Sequence, residues 1–226
     1  MAVFRFGVVV FPGSTCEQDA VQACRSLGYQ ADYIWHTETD LSGYDAIILP
    51  GGYSFGGYLR GGAIASHSPV MSSVASYASQ GRPVLGICDG FQILCEAGLL
   101  PGLLLRNQNL RHIGKMVPIQ VEESVCQWIS HVPGTVLSLP LSHSHGDYYC
   151  DDLGLGRLEA KGQVVLRYCS EDGASSSVTS DIAGICNERG NVFGMMPYPE
   201  RVTDGLVGSD GRSFFTSIIQ RLEESI

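Results

Sequence analysis

The chain has 226 residues, of which 44% are hydrophobic and 28 are glycine, and a net charge of −9. That length supports one large α/β domain with a full core, and the absence of any Lys/Arg run argues against nucleic acid or an anionic membrane surface as partner. No apolar stretch reaches the roughly 18 to 20 residues of a membrane span.

Met1–Phe11 carries Arg5 within its apolar run and does not read as a signal peptide. Arg5–Phe11 is predicted as a strand ending in Pro12-Gly13-Ser14-Thr15. Ser14 and Glu17 have capping-box spacing, which predicts a helix from Cys16 to Leu27 stopped by Gly28. Ala31–His36 and Ala46–Pro50 are predicted strands, the second running into Gly51-Gly52. A helix over Pro69–Ser79 follows, then a strand over Pro83–Ile87 and a helix over Phe91–Ala97 that stops at Gly98. Continuous apolar strands alternating with helices predict a parallel sheet covered on both faces.

From Met116 the pattern changes to short strands: Met116–Val121, Thr135–Pro140, Gln163–Tyr168, Ile182–Cys186 and Val192–Met196. Ser209–Glu224 places Phe214, Phe215, Ile218, Ile219 and Leu222 on one helical face, a terminal helix packed on the core. Glu171–Ser180 is polar and serine-rich and reads as a mobile loop. With no internal repeat and no linker, residues 1–226 read as a single α/β domain: an open, mostly parallel sheet flanked by helices, with an antiparallel extension.

The chemistry concentrates in Gly86-Ile87-Cys88-Asp89-Gly90-Phe91-Gln92. A cysteine between glycines at a strand-to-helix switch sits on a tight turn over a helix N-terminus, the cysteine counterpart of a serine nucleophile elbow. Glycines suit the crowded backbone, including any positive φ, and the helix dipole favours thiolate over thiol. The competing reading is a buried structural cysteine. In open parallel sheets the site lies beyond the C-terminal strand ends, here Pro12-Gly13-Ser14, Gly51-Gly52 and Cys88. The Gly51–Gly62 loop lacks the G-K-[ST] ending of a phosphate loop and suits backbone N–H donors for an oxyanion. The eight cysteines include no C-x-x-C pair, so neither a zinc site nor a thioredoxin motif is supported, and reduced thiols are expected.

Pro12-Gly13-Ser14, Trp35-His36, Leu49–Arg60, Gly86–Leu94, Glu96–Pro101, Asp181–Gly190 and Gly194–Glu200 together resemble the PurQ family over essentially the whole chain. These are glutaminase subunits of phosphoribosylformylglycinamidine synthase, in the fourth step of purine biosynthesis, and belong to the class I (triad) glutamine amidotransferases. The resemblance implies that Cys88 attacks the glutamine amide, a glutamyl thioester forms, ammonia leaves, and water releases glutamate. It implies oxyanion donors at Asp89 and near Gly51 and Gly52, with substrate held by Gln92 and the His143 segment. It further implies a cytoplasmic protein with no cofactor or metal of its own. Glutamine would be the substrate, and the partners a PurL-like synthetase, which binds ATP and the ribonucleotide, and a small PurS-like subunit.

The family pattern His-Pro-Glu after Met-Met-Pro is here Tyr198-Pro199-Glu200: the carboxylate is present and the histidine is not. A phenol titrating near 10 is a poor base at neutral pH, and losing a triad base costs on the order of 10⁴- to 10⁶-fold in rate. Asp89 stands where asparagine is usual, Gly57 where aspartate is, and His143-Ser144-His145-Gly146-Asp147 where His-Gly-Glu-Gly-Asn is. Three readings follow. One is a glutaminase in which His143 or His145 substitutes; another is an impaired subunit with a structural or regulatory part; the last is a cysteine enzyme with another substrate. Outside catalysis, His143 and His145 read as loop histidines, Glu200 as an ion-pair partner of an arginine such as Arg201, and Gln92 as a polar helix-face residue.

Overall fold

The computed structural model describes residues 4–131, 133–169 and 181–224, so the predicted Glu171–Ser180 loop lies outside the described residues. The first half alternates as expected: β1 (Arg5–Val10), α1 (Glu17–Ser26), β2 (Gln30–Trp35), β3 (Ala46–Leu49), α2 (Pro69–Ser79), β4 (Val84–Ile87) and α3 (Asp89–Glu96). The second half adds β5 (Leu103–Arg106), β6 (Ile113–Val121), β7 (Val136–His143), β8 (His145–Tyr149), α4 (Asp152–Ala160), β9 (Val164–Tyr168), β10 (Ile182–Cys186), β11 (Val192–Met195) and α5 (Arg212–Glu224).

Among the described residues nine strands form one sheet in the order β2-β1-β3-β4-β11-β10-β9-β6-β7. The pairings from β2 to β11 are parallel. Those from β11 to β7 are antiparallel. The fold is therefore α/β, a flavodoxin-like parallel sheet with an antiparallel extension, as the change in strand pattern near Met116 predicts. β3, β4 and β11 are buried at every position, which is why they read as continuous apolar runs. The terminal helix buries Phe214, Phe215, Ile218 and Ile219, with Leu222 at the margin of the core.

One expectation is corrected, and two features lie outside those predicted. Ser14 and Glu17 do not form a capping box. The Ser14 hydroxyl accepts the Phe11 N–H at 3.0 Å, closing the turn after β1, and α1 begins behind Cys16 with no side-chain cap. The two-stranded sheet of β5 and β8 is not foreseen, because four residues ending in an arginine carry too little periodicity. Neither is α4, whose Gly154 and Gly156 lower its intrinsic propensity. It starts because the Asp151 carboxylate accepts the Gly154 N–H at 2.7 Å.

Gly90 places the start of α3 against β3: a Cβ there would lie 1.9 Å from the Leu49 carbonyl oxygen. Gly90→Ala is accordingly expected to destabilise the chain by about 1 to 3 kcal/mol, since backbone rather than a flexible side chain must move. Denaturant unfolding of the two chains checks this, and an unchanged midpoint would contradict the packing described.

Candidate active site

β4 passes into α3 through Cys88, whose backbone is left-handed at φ 50 and ψ −101. Its N–H donates to the Met195 carbonyl at 2.8 Å and its carbonyl accepts the Gln92 N–H at 3.1 Å, so β11 and the first turn of α3 both hold the elbow. The sequence argument put any positive φ at the glycines. The structure puts it on Cys88, while Gly86 and Gly90 are needed for close approach: a Cβ on Gly86 would meet Gly90 oxygen at 2.6 Å.

The strand ends converge as expected. Thr15 and Cys16 after β1, Gly52 after β3, Cys88 after β4 and Tyr198 after β11 line one pocket of about 170 Å³. The β7–β8 corner, Ser142 to His145, forms another wall. Gly51 lies behind it, its carbonyl accepting the Thr15 and Cys16 N–H groups. Gly52 has φ +151, and a Cβ there would sit 2.8 Å from Ser14 Cα. Asp89 is buried and its carboxylate accepts the Ser54 N–H at 2.8 Å, tying the glycine-rich loop to the elbow. Burial pushes that carboxyl up to about 6. Gln92 is also buried, and its amide donates to the His145 carbonyl at 2.7 Å, so it is a wall of the pocket rather than a free helix-face residue.

The thiol itself departs from expectation. Cys88 is 4% exposed, its Sγ lies 3.7 Å from the Ser142 carbonyl, and burial pushes it up to about 12. The neighbouring Tyr198 hydroxyl and the Asp89 backbone N–H ease this, while the Asp89 carboxylate adds to it. The resting group is a thiol because removing sulfur from water outweighs one helix N-terminus. Among the described residues, Cys16 is the other cysteine lining the same pocket.

Tyr198 donates its hydroxyl to the same Ser142 carbonyl at 3.0 Å. Its ring packs where a Cβ on Gly51 would be, 2.5 Å away, and Arg201 stacks over it at 4.4 Å from the centroid. Burial raises the phenol far above its ordinary value, with the Cys88 charge acting in the same direction. It is a hydrogen-bond donor and no base.

Glu200 is buried, and neither carboxylate oxygen has a hydrogen-bond partner among the described residues. The ion pair with Arg201 is not formed, because Arg201 reaches Asp19 at 3.3 Å and the Cys16 sulfur at 3.1 Å instead. Burial pushes Glu200 up to about 8, and its own backbone N–H and the Arg201 charge ease this without bonding to the carboxylate. An unfolded glutamate titrates at about 4.3. Folding therefore retains a proton between the two values, and stability falls as pH rises through that window. The ceiling on this loss is roughly 5 kcal/mol. Denaturation at pH 5 and pH 8 is expected to show a smaller loss for Glu200→Gln than for the unaltered chain, whereas equal losses would contradict the orphaned carboxylate.

His143 is buried in the wall, its Nδ1 on the Asn107 amide oxygen at 2.9 Å. His145 is half-buried and presents its backbone to Gln92. Sequence reasoning misses Asn107, which is fully buried, because a single asparagine in a polar stretch gives no signal of burial. Among the described residues no group of three or more His, Cys, Asp or Glu is placed to hold a metal ion, and no helix is long and apolar enough to cross a membrane.

Comparison with known proteins adds independent findings. The domain family described as a CobB/CobQ-like glutamine amidotransferase domain matches residues 4–213. Phosphoribosylformylglycinamidine synthase subunit PurQ of Thermomicrobium roseum is 52% identical over 214 residues, 91% of each chain. The subunit of the same name from Synechococcus sp. (strain JA-3-3Ab) is 50% identical over 225 residues, covering 98% of this chain and 99% of that one. In the structure of PurLQS from Thermotoga maritima a chain superposes with a TM-score of 0.88 at 39% identity, covering 98% of this chain and all of that one.

Proposed function

The chain belongs to the PurQ family of glutamine amidotransferases, and from that premise we infer that it is the glutaminase subunit of a phosphoribosylformylglycinamidine synthase. It hydrolyses glutamine to glutamate and ammonia and passes the ammonia to a synthetase of the PurL kind, in a complex with a small PurS-like subunit. The PurLQS structure, in which the matching chain is seen, supports those partners. The observation that carries the reading is the pocket itself. Cys88 lies on a strained elbow facing a cavity of about 170 Å³ walled by the ends of four strands.

In this reading Cys88 Sγ attacks the carboxamide carbon, and the oxyanion is received by the Asp89 N–H, which already faces the sulfur, and by the Gly52 backbone. The amide displaces the thiol from Ser142, and Gln92 and the His143 segment hold the substrate. Water then cleaves the thioester. Residues 1–226 act as one domain, supported by a sheet that takes strands from both halves of the chain. Buried thiols outside any disulfide, such as Cys24, Cys88 and Cys95, support a reducing cytoplasmic setting.

A purely structural subunit is the weaker reading, since thiol, elbow and pocket are all retained. The test is synthesis by the assembled complex with either glutamine or ammonium as nitrogen source. Ammonium is expected to support full synthesis and glutamine slower synthesis with stoichiometric glutamate. No glutamate release by this chain or by its Tyr198→His variant in the complex would overturn the proposal.

A further inference from the structure

Tyr198 leaves the pocket without the proton carrier that cysteine chemistry on an amide requires, and of the two histidines in its wall, His143 and His145, the second meets Gln92 through its backbone carbonyl. His143 is 3% exposed and lines the pocket with Cys88. Its two nitrogens are in opposite states. Nδ1 meets Asn107 Oδ1 at 2.9 Å, whereas Nε2 is buried with no hydrogen-bond partner among the described residues.

The orientation of Asn107 follows from its other bonds. Its amide nitrogen donates to the carbonyls of Arg111 at 2.8 Å and His143 at 3.1 Å, and its oxygen accepts the Gly146 N–H at 3.1 Å. A backbone N–H can only donate, so the atom facing it is the amide oxygen, and the imidazole nitrogen sharing that oxygen must carry the proton. His143 is thus the Nδ1–H tautomer with a bare lone pair on Nε2. The ring is also fixed in place: a Cβ on Gly146 would lie 2.2 Å from it.

We propose that His143 is the proton carrier of the Cys88 reaction in this chain, with Asn107 as its positioning residue, a Cys-His-Asn arrangement replacing the histidine absent at 198. The inference rests on the glutaminase reading of the pocket. Burial, with smaller contributions from His112 and His145, lowers His143 to about 4, so the base is unprotonated at neutral pH. Its weakness as a base predicts slow turnover.

The steps balance. The Cys88 proton passes to Nε2 as the S–C bond forms and the carbonyl electrons move onto oxygen. On collapse the C–N bond breaks and the imidazolium returns that proton to nitrogen, giving ammonia. Water then gives a proton to Nε2 while its oxygen attacks the thioester carbon. The C–S bond breaks, sulfur takes the proton back, and glutamate leaves.

The test is a double-mutant cycle in the assembled complex, read as glutamate release. In the unaltered background His143→Gln is expected to lower kcat on the order of 10²-fold with KM little changed, and added imidazole to restore part of it. In the Tyr198→His background, where a second imidazole is present, the same change is expected to cost at most a few-fold. A merely structural histidine would cost the same in both backgrounds and gain nothing from imidazole, and that result would overturn the proposal. So would an unaltered chain that is silent while Tyr198→His is active, although the glutaminase reading would then stand. Silence of both would end that reading as well. Should His143→Gln fail to fold, His143→Ala with imidazole added to fill the space takes its place. Imidazole is expected to recover part of the glutamate release in the unaltered background, and no recovery would overturn the proposal.

Discussion

Replacing Tyr198 by histidine is expected to raise glutamate release by the assembled complex on the order of 10²- to 10⁴-fold. The motive lies in Glu200, whose two carboxylate oxygens are buried beside the Tyr198 position without a partner among the described residues. An imidazole there offers the N–H that the carboxylate lacks, which removes the cost of an unpaired buried acceptor and orients the ring toward Cys88. Ionised Glu200 would in turn stabilise the imidazolium. At about 1.36 kcal/mol per tenfold, 10⁴-fold corresponds to about 5 kcal/mol of transition-state stabilisation. The gain is limited by Asp89 and Gly57, which remain as they are, and is smaller the faster the unaltered chain itself turns over. The phenol also donates to the Ser142 carbonyl that the Cys88 thiol faces, so its removal frees that carbonyl. Steady-state glutamate release by the two chains, each with its synthetase, checks this. A histidine variant no faster than the unaltered chain would show that the orphaned carboxylate has no catalytic consequence.

Cys88→Ala is expected to abolish glutamine-dependent synthesis, by on the order of 10⁴-fold or more, while ammonium-dependent synthesis stays near its normal rate. The distinction matters because Cys88 is at an elbow with φ 50, where an alanine is no less strained than a cysteine. The shell around the position keeps its shape: the Met195 carbonyl still takes the residue-88 N–H, and Gly90 still packs on Leu49. Loss of both activities would point to failed assembly. Retention of both would remove Cys88 from the reaction altogether.

The legible part of this molecule is the part where one residue type has one physical use. Gly86 and Gly90 around Cys88 mark an elbow because only glycine lets α3 start against the β3 backbone, and the buried parallel strands read as unbroken apolar runs. Other features have several uses. Ser14 has capping-box spacing, yet its hydroxyl serves the turn after β1. The helix N-terminus under Cys88 argued for a thiolate, but depth of burial is a tertiary property and it wins. Asn107 orders the His143 ring through bonds to residues up to 39 positions away, and nothing in its neighbourhood along the chain announces that. The absence at 198 was visible at once. That it leaves Glu200 unpaired rather than bound to Arg201 required the fold, because Arg201 turns instead to Asp19 and Cys16.

The central claim is that glutamine forms a covalent intermediate on Cys88. It is tested most directly by treating the assembled complex with a diazoketone analogue of glutamine and mapping the adduct by peptide mass spectrometry. The account predicts one adduct, on the peptide carrying Cys88, suppressed by excess glutamine and matched by loss of glutamine-dependent but not ammonium-dependent synthesis. An adduct on Cys16 or Cys150 with Cys88 unmodified, or glutamate release that survives full modification of Cys88, would contradict it.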